Sequence, residues 1–348
     1  MAPRHVPARP HRHDRHRRRP ADRLRLRRPP REEAVVSAPA APPAAPAVTV
    51  VVPTRGRPEL VRAAVAAVVA QRYDGTVDCV VVHDQEPVDP SLEELARPGR
   101  GVRVVANDGT PGLAGSRNAG LRLVRTPYVA SCDDDDAWLP DKVRLQVERL
   151  ESDPALWAVG AGIRLLMPGG RVVEWLGPSD LVTREDLLRS RRKELHSSTL
   201  LMRTAVFERV GGYDEQLPQG YAEDYEWLLR ASALGPLGVV RVPLADIRKD
   251  GVSWYRGRGE VTAAALEHLL ATHPELATSR RGHARILGQV AFAHSTLGDR
   301  RTALTWVGRS LRRWPLAPQA GLALVHLVSG ADPRLLLRSA RLVGRGLS

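Results

Sequence analysis

Four consecutive carboxylates, Asp133-Asp134-Asp135-Asp136, stand between PYVASC and AWLPDK. Adjacent carboxylates repel, and a buried run of them needs a cation or protons to be stable. The apolar flanks are not those of a solvated acidic loop. Clustered carboxylate oxygens suit a hard divalent ion, Mg2+ or Mn2+, which also binds phosphate oxygens. A local reading competes: Asp136 caps the following helix, and Asp141 does so one turn later. A second group is the loop GTPGLAGSRNAG, residues 109–120. Its glycines let backbone N–H groups approach an anion, and Arg117 offers a planar fork to phosphate. Structural glycines at a helix entry would read the same way. A third is AEDYEW, where Glu223 and Asp224 open an amphipathic helix. The helix dipole favours carboxylates there, and a carboxylate can serve as a general base toward a hydroxyl. Plain capping also accounts for them. His196 is a rival base, or else a structural or substrate-contacting residue.

The elements that must position these groups alternate. Val48–Val52, residues 77–83, 102–106 and 127–132 are continuous apolar runs suited to buried parallel strands. Between them, Pro58–Gln71 carries Val61, Val65 and Val68 on one face, and Gly112–Val124 reads as a second helix. Leu139, Val143, Val147 and Leu150 mark a third at a 3.6-residue period. Strand–helix alternation predicts an α/β fold, a Rossmann-like, mostly parallel sheet flanked by helices. Such sheets bind ligands beyond the carboxyl ends of their strands. The chemically unusual residues follow the strands: Thr54, Arg55 and Arg57; Asp84; the glycine-rich loop; and the aspartates. No GxGxxG follows the first strand, which disfavours a dinucleotide oxidoreductase.

Charge separates a tail from this body. The formal net charge is +13, but residues 1–31 hold twelve arginines against two aspartates, which leaves the rest close to neutral. No aromatic residue is interleaved there, so nucleic-acid binding by base stacking is disfavoured. The tail lacks the apolar core of a signal peptide, and SAPAAPPAAPA (37–47) reads as an extended linker. Residues 1–46 are thus expected to form a disordered tail and linker, with contact to anionic membrane as the alternative. Cys79 and Cys132 sit in apolar runs without a spacing motif and read as reduced core residues. These features predict a cytoplasmic protein, peripheral at most to the inner face of a membrane.

The ordered series VVVPTRGRPELVRAAVAAVVAQ, VVVHD, GLAGSRNAGL, PYVASCDDDDAWLPDKVRLQ and HSSTLLMRTAVFERVGGYDEQLPQGYAEDYEWLLRAS resembles family 2 glycosyltransferases with the A-type glycosyltransferase fold. The resemblance covers roughly residues 48–255. It implies an inverting, metal-assisted transfer from a nucleoside-diphosphate sugar (UDP-, dTDP- or GDP-linked) to a hydroxyl-bearing acceptor. By the same resemblance, Pro53, Thr54, Arg57 and Glu59 line the nucleotide pocket, and Asp84 accepts from the base. Arg117 lies near the phosphates. Asp133 and Asp135 are the outer, metal-binding positions of an Asp-x-Asp motif, with Asp134 on the nucleotide-sugar side. Asp224 matches the general base, with Glu223 beside it. Trp138, Trp227 and His196 are expected on the acceptor side. Two departures stand out. His83-Asp84-Gln85-Glu86 replaces the family's frequent Asp-Asp-Gly-Ser, and IRKDGVSW lacks its frequent metal-side histidine, leaving Asp250 as a candidate oxygen ligand.

From about residue 259 the pattern is helical: 261–273, 279–297, 300–314, 317–328 and 333–343. AFAHSTLGDRRTALTWVGRSLRRWP resembles one tetratricopeptide-like helical hairpin, which cannot bury its own apolar face and should pack on the body or on a partner. The domain reading is therefore 1–46 tail, 47–258 transferase and 259–348 helical extension. Two other functions fit the residues less well: a nucleotidyltransferase using the aspartates, and a helical adaptor with a degenerate transferase domain.

Overall fold

The computed structural model describes residues 45–249, 259–333 and 335–337. The chain begins with β1 (Val48–Thr54), α1 (Pro58–Val69), β2 (Val77–His83), β3 (Val102–Ala106), α2 (Leu113–Leu121) and β4 (Tyr128–Ser131). It continues through β5 (Ala137–Trp138), α3 (Lys142–Glu151), β6 (Ala158–Leu166), β7 (Val172–Trp175), β8 (Leu181–Val182), α4 (Arg184–Arg189) and β9 (Leu201–Arg203). Then come α5 (Val206–Val210), α6 (Glu223–Ala231) and β10 (Leu237–Arg248), followed by α7 (Gly259–Thr272), α8 (Arg280–Thr296), α9 (Arg300–Arg313) and α10 (Pro318–Ser329).

One sheet runs β3-β2-β1-β4-β9-β6-β10-β5, with β7 on β6 and β8 on β10. β3, β2, β1 and β4 are parallel. β9 lies antiparallel between β4 and β6, so the sheet is mixed. β1 and β4 are buried throughout and β2 nearly so, because helices cover both faces, α1 and α3 on one side and α2 and α6 on the other. β3, expected to be buried, is only partly so because it ends the sheet. Strand order reverses at β1, with β2 on one side and β4 on the other. The carboxyl ends of β1 and β4 therefore diverge into different loops, and a crevice opens between them.

α3 starts later than the periodicity suggested. Leu139 precedes it, with its N–H bonded to the Leu244 carbonyl, and Pro140 delays the first turn. The N-cap is Asp141, without a side-chain cap bond. Asp136 lies outside any helix start and does not act as a cap.

The C-terminal helices pack on the sheet body. Gly282 lets α8 touch α4, since a Cβ there would stand 1.8 Å from the Leu188 carbonyl oxygen. Arg184 pairs with Glu275 at 3.0 Å, and His268 with Asp214 at 2.8 Å. His273 is sandwiched between Glu226 (3.0 Å) and Glu275 (2.9 Å). α8 and α9 form the expected hairpin, turning at Gly298 (φ +79°), with Asp299 capping α9 through Thr302 N–H. The helix expected over 333–343 falls mostly outside the described residues. Among the described residues, no helix is long and apolar enough to cross a membrane.

Candidate functional site

The four loops that follow the parallel strands meet at the switch point. Thr54, at the end of β1, donates its hydroxyl to Asp134 Oδ2 at 2.8 Å. Arg57 reaches Asp134 Oδ1 at 2.9 Å and Asp135 Oδ2 at 3.0 Å. Asp84, just past β2, accepts from Gly112 N–H at 3.0 Å and Asn107 Nδ2 at 2.9 Å, with Arg55 at 3.5 Å. It braces the glycine-rich loop at the entry of α2, where Gly112 takes a φ of +108° that only glycine adopts freely. Pro53 is buried in β1, while Glu59 lies exposed in the first turn of α1.

Arg117 lies beneath the crevice rather than on its wall. It is 1% exposed, and its fork holds Asp133 Oδ1 at 2.5 Å with one nitrogen and Glu223 Oε1 with the other. Glu223 is buried and Asp133 partly so, and a cation between them offsets their desolvation. This bridge seats the first turn of α6 beside the aspartates. The turn before it is tightly folded: Ala222 adopts a left-handed φ of +68°, an uncommon state for a residue with a Cβ and one that concentrates at functional sites.

The four aspartates take four environments. Burial would raise the Asp133 carboxyl, but the Arg117 charge, His196 and the Ser197 hydroxyl at 2.7 Å outweigh it and hold the group below its usual range. Burial raises Asp134 and Asp135, the latter also through the charge of Asp133. Asp136 is pushed well above the ordinary value by burial, then by Asp133 and Asp135. It accepts from Ser198 Oγ at 2.5 Å and Arg248 N–H at 3.1 Å. Burial lowers His196 to about 4, so its imidazole is neutral at pH 7. Ligand atoms of Asp133, Asp136 and His196 lie within 4.8 Å of one another. Two carboxylates and a neutral imidazole are a suitable donor set for a divalent ion, and a cation there would relieve the repulsion that raises Asp136. Asp135, expected in that set, is turned toward Arg57, and Asp250 lies outside the described residues.

Asp224 is 16% exposed at its side chain and pairs with Arg191 Nη2 at 2.6 Å. Burial would raise it, but Arg191, then Arg117 and His196, hold it below its usual range. Arg191 carried no sequence signal beyond an arginine run before His196. Only the fold brings it to Asp224, 33 residues away. Ser197 and Ser198 were likewise missed, although they lie beside His196 in HSST.

The two tryptophans do not line an open wall. Trp227 is fully buried, stacked on Phe207 at 5.1 Å between ring centroids, with its indole N–H on the Gly211 carbonyl. It faces inward because the apolar stripe of α6 faces the core. Trp138 is 4% exposed, donates to the Ser198 carbonyl at 2.8 Å and carries Lys142 Nζ 3.8 Å from its ring centre.

Residues 49–196 match the family model of Glycosyl transferase family 2. An uncharacterized glycosyltransferase of Haemophilus influenzae is 24% identical over 64% of this chain and 69% of its own length. The succinoglycan biosynthesis protein ExoO of Rhizobium meliloti is 29% identical over 55% of this chain, which spans 57% of that protein. Among solved structures, S. aureus TarS in complex with UDP-GlcNAc superposes with a TM-score of 0.56 at 16% identity, covering 85% of this chain and 92% of that one. A mannosyltransferase of Pyrobaculum calidifontis, in complex with GDP-Man and Mn2+, superposes at 0.50 and 19% identity, covering 86% of each. These matches identify residues 49–196 as a Glycosyl transferase family 2 region, and with the mixed sheet and the switch-point crevice they give the chain the A-type glycosyltransferase fold, followed by a C-terminal helical region.

Proposed function

We propose that the enzyme moves a sugar from a nucleoside-diphosphate sugar to an acceptor hydroxyl, with inversion at the anomeric carbon and Asp224 as the general base. One observation carries this reading: the Arg117 bridge between Asp133 and Glu223 sets Asp224 beside the aspartate crevice. Thr54, Arg57 and the glycine-rich loop after β3 form the donor side, with Asp84 bracing that loop. Solved structures of similar fold hold UDP, UDP-GlcNAc and GDP-Man, so uridine and guanosine donors are the first to test, with dTDP-sugars beside them.

Asp133, Asp136 and His196 would hold a divalent cation, Mn2+ or Mg2+. When bound, such an ion neutralises the charge that develops on a departing diphosphate. Asp224 Oδ1 accepts both from Arg191 and from Tyr225 N–H. Its Oδ2 is then the oxygen that takes the acceptor proton as the acceptor oxygen attacks the anomeric carbon. Arg191 keeps the carboxylate ionised, as a base must be. In this reading residues 47–258 are the catalytic unit and 259–348 an extension against it. The enzyme works in the cytoplasm, and the arginine tail permits peripheral contact with anionic lipid.

The test is nucleotide release by the full chain across UDP-, dTDP- and GDP-sugars, with and without Mn2+. Turnover is expected with one donor class and is expected to stop in EDTA. Full turnover in EDTA would refute the metal assignment, and a product of retained configuration would refute direct displacement.

A further inference from the structure

The pair α9–α10 turns outward two kinds of side chain that its own core does not use. Val307, Ala320 and Ala323 face inward, into a small cluster shared with Ala284 and Ala291 of α8. Outward, Val328 is 85% exposed and Leu316 79%, with Leu304 and Val325 half exposed. The twelve residues of α10 include no Asp, Glu, Lys or Arg. α9 supplies the charge: Arg300, Arg301, Arg309 and Arg312 are all exposed. Residues 300–348 hold nine arginines against one aspartate and no glutamate.

Topology sets the two kinds side by side. A four-residue connection, Trp314–Ala317, joins the helices, and so short a link makes them antiparallel. Arg312 and Leu316 therefore share one end of the pair, and Val328 returns beside Arg300 and Arg301 at the other. Apolar side chains set among cations match an anionic lipid surface. Guanidiniums meet headgroup phosphates there, while leucine and valine enter the boundary of the acyl chains. A second copy of this chain matches less well, because a two-fold pairing would set arginine against arginine. A single-stranded nucleic acid lacks its stacking platform: Trp306 and Trp314 are half-buried, with Arg309 4.6 Å and Arg281 3.9 Å from their ring centres. At about 18 Å long, α10 is too short to span a bilayer, so the contact lies in the plane of the interface.

We propose that α9 and α10 dock the protein on an anionic membrane surface, with Leu316, Val325 and Val328 inserted at headgroup level and Arg300, Arg301 and Arg312 on lipid phosphates. The helical region then has a task of its own, holding the transferase body at a lipid surface, separately from the arginine-rich residues 1–31. Docking needs neither nucleotide nor acceptor, so its failure leaves the transferase reading intact.

The test is flotation of the full chain with vesicles of phosphatidylcholine alone and of phosphatidylcholine with an equal part of phosphatidylglycerol. Binding is expected to the anionic vesicles and is expected to weaken in high salt. A basic residue at such a surface strengthens binding about fivefold, so Arg301→Gln with Arg312→Gln should weaken it about tenfold or more. Leu316→Asp with Val328→Asp should weaken it by a similar factor, whereas Val88→Ser, at an exposed position on the transferase body, should leave it unchanged. Both native cysteines are buried, so Val328→Cys takes an environment-sensitive thiol dye at one position, and its emission should shift to the blue on anionic vesicles. Failure of the wild type to float overturns the proposal. Binding unchanged in both double variants also overturns it and moves the contact elsewhere, to residues 1–31 first. So does a dye that stays in water while the protein floats, or a blue shift that grows with protein concentration without vesicles, the mark of a second copy.

Discussion

Replacing Arg117 by Met removes the cation that joins Asp133 to Glu223 and tests the central strut of the site. Arg117 is 1% exposed at its side chain, Glu223 5% and Asp133 23%. Water cannot replace the guanidinium around Glu223, so the carboxylate is left desolvated and unpaired. Removing one partner of a buried pair costs about 3–5 kcal/mol. Asp133 loses less, because the Ser197 hydroxyl still donates to it at 2.7 Å. Arg117→Met is thus expected to destabilise the chain by about 3–5 kcal/mol, mostly through Glu223. Adding Glu223→Gln neutralises the stranded charge and is expected to restore about 2 kcal/mol or more, since an uncharged amide is far cheaper to bury. Arg117→Lys keeps the charge but loses the fork that spans both carboxylates, so it should fall between. Urea unfolding followed by tryptophan fluorescence at pH 7.5 measures all four proteins. A loss below about 1 kcal/mol in Arg117→Met, or no recovery in the double variant, would refute the bridge as a desolvated strut.

Three further outcomes follow from the same geometry. Asp224→Asn keeps the Tyr225 N–H bond but removes basicity, so transfer should fall about 10²–10⁴-fold, far more than the modest stability loss from replacing the partly exposed Arg191 ion pair by a neutral hydrogen bond explains; full transfer in Asp224→Asn with loss in His196→Ala would move the base to His196. His273, raised chiefly by its hydrogen bond to Glu226, carries docking stability that is complete below the unfolded value of 6.5 and is lost as pH rises through the higher folded value. Protection of α7 and α8 amides, taken relative to the intrinsic exchange rate at each pH, should therefore fall as pH rises above 6.5 in the wild type but not in His273→Gln. Lys142, fully buried and lowered by burial to about 7, penalises the fold while the unfolded lysine is charged. Lys142→Met should therefore gain on the order of 2–4 kcal/mol at and below pH 7. That gain should shrink as pH climbs from 7 toward 10.5, and urea midpoints at pH 6.5 and 9 check the sign.

Much of this protein was legible before folding. Valine runs with no polar alternation mark strands buried on both faces, and Val48–Thr54 and Val77–His83 are those strands. Glycines, arginines and aspartates gathered after successive strands identify a crevice, because parallel strands end together and leave their loops on one side. The A-type fold followed from the order of these motifs. What one dimension could not carry was direction. Asp135 and Asp136 are neighbours, yet one faces Arg57 and the other Ser198, because the turn from Asp133 to Asp136 points successive side chains apart. Arg117 could offer its fork to phosphate or to protein, and the arrival of α6 with Glu223 decided for protein. Trp227 reads alike on either side of its helix until the core claims it. Arg191 and Arg285 both come to the Tyr225 ring, from separate parts of the chain. Their meeting depends on α8 packing against α4 through Gly282, a contact between residues 94 positions apart. Local pattern determines which residues can do chemistry and at which end of the sheet. Tertiary packing decides which of them meet, because desolvation makes each buried charge take whatever partner the fold delivers.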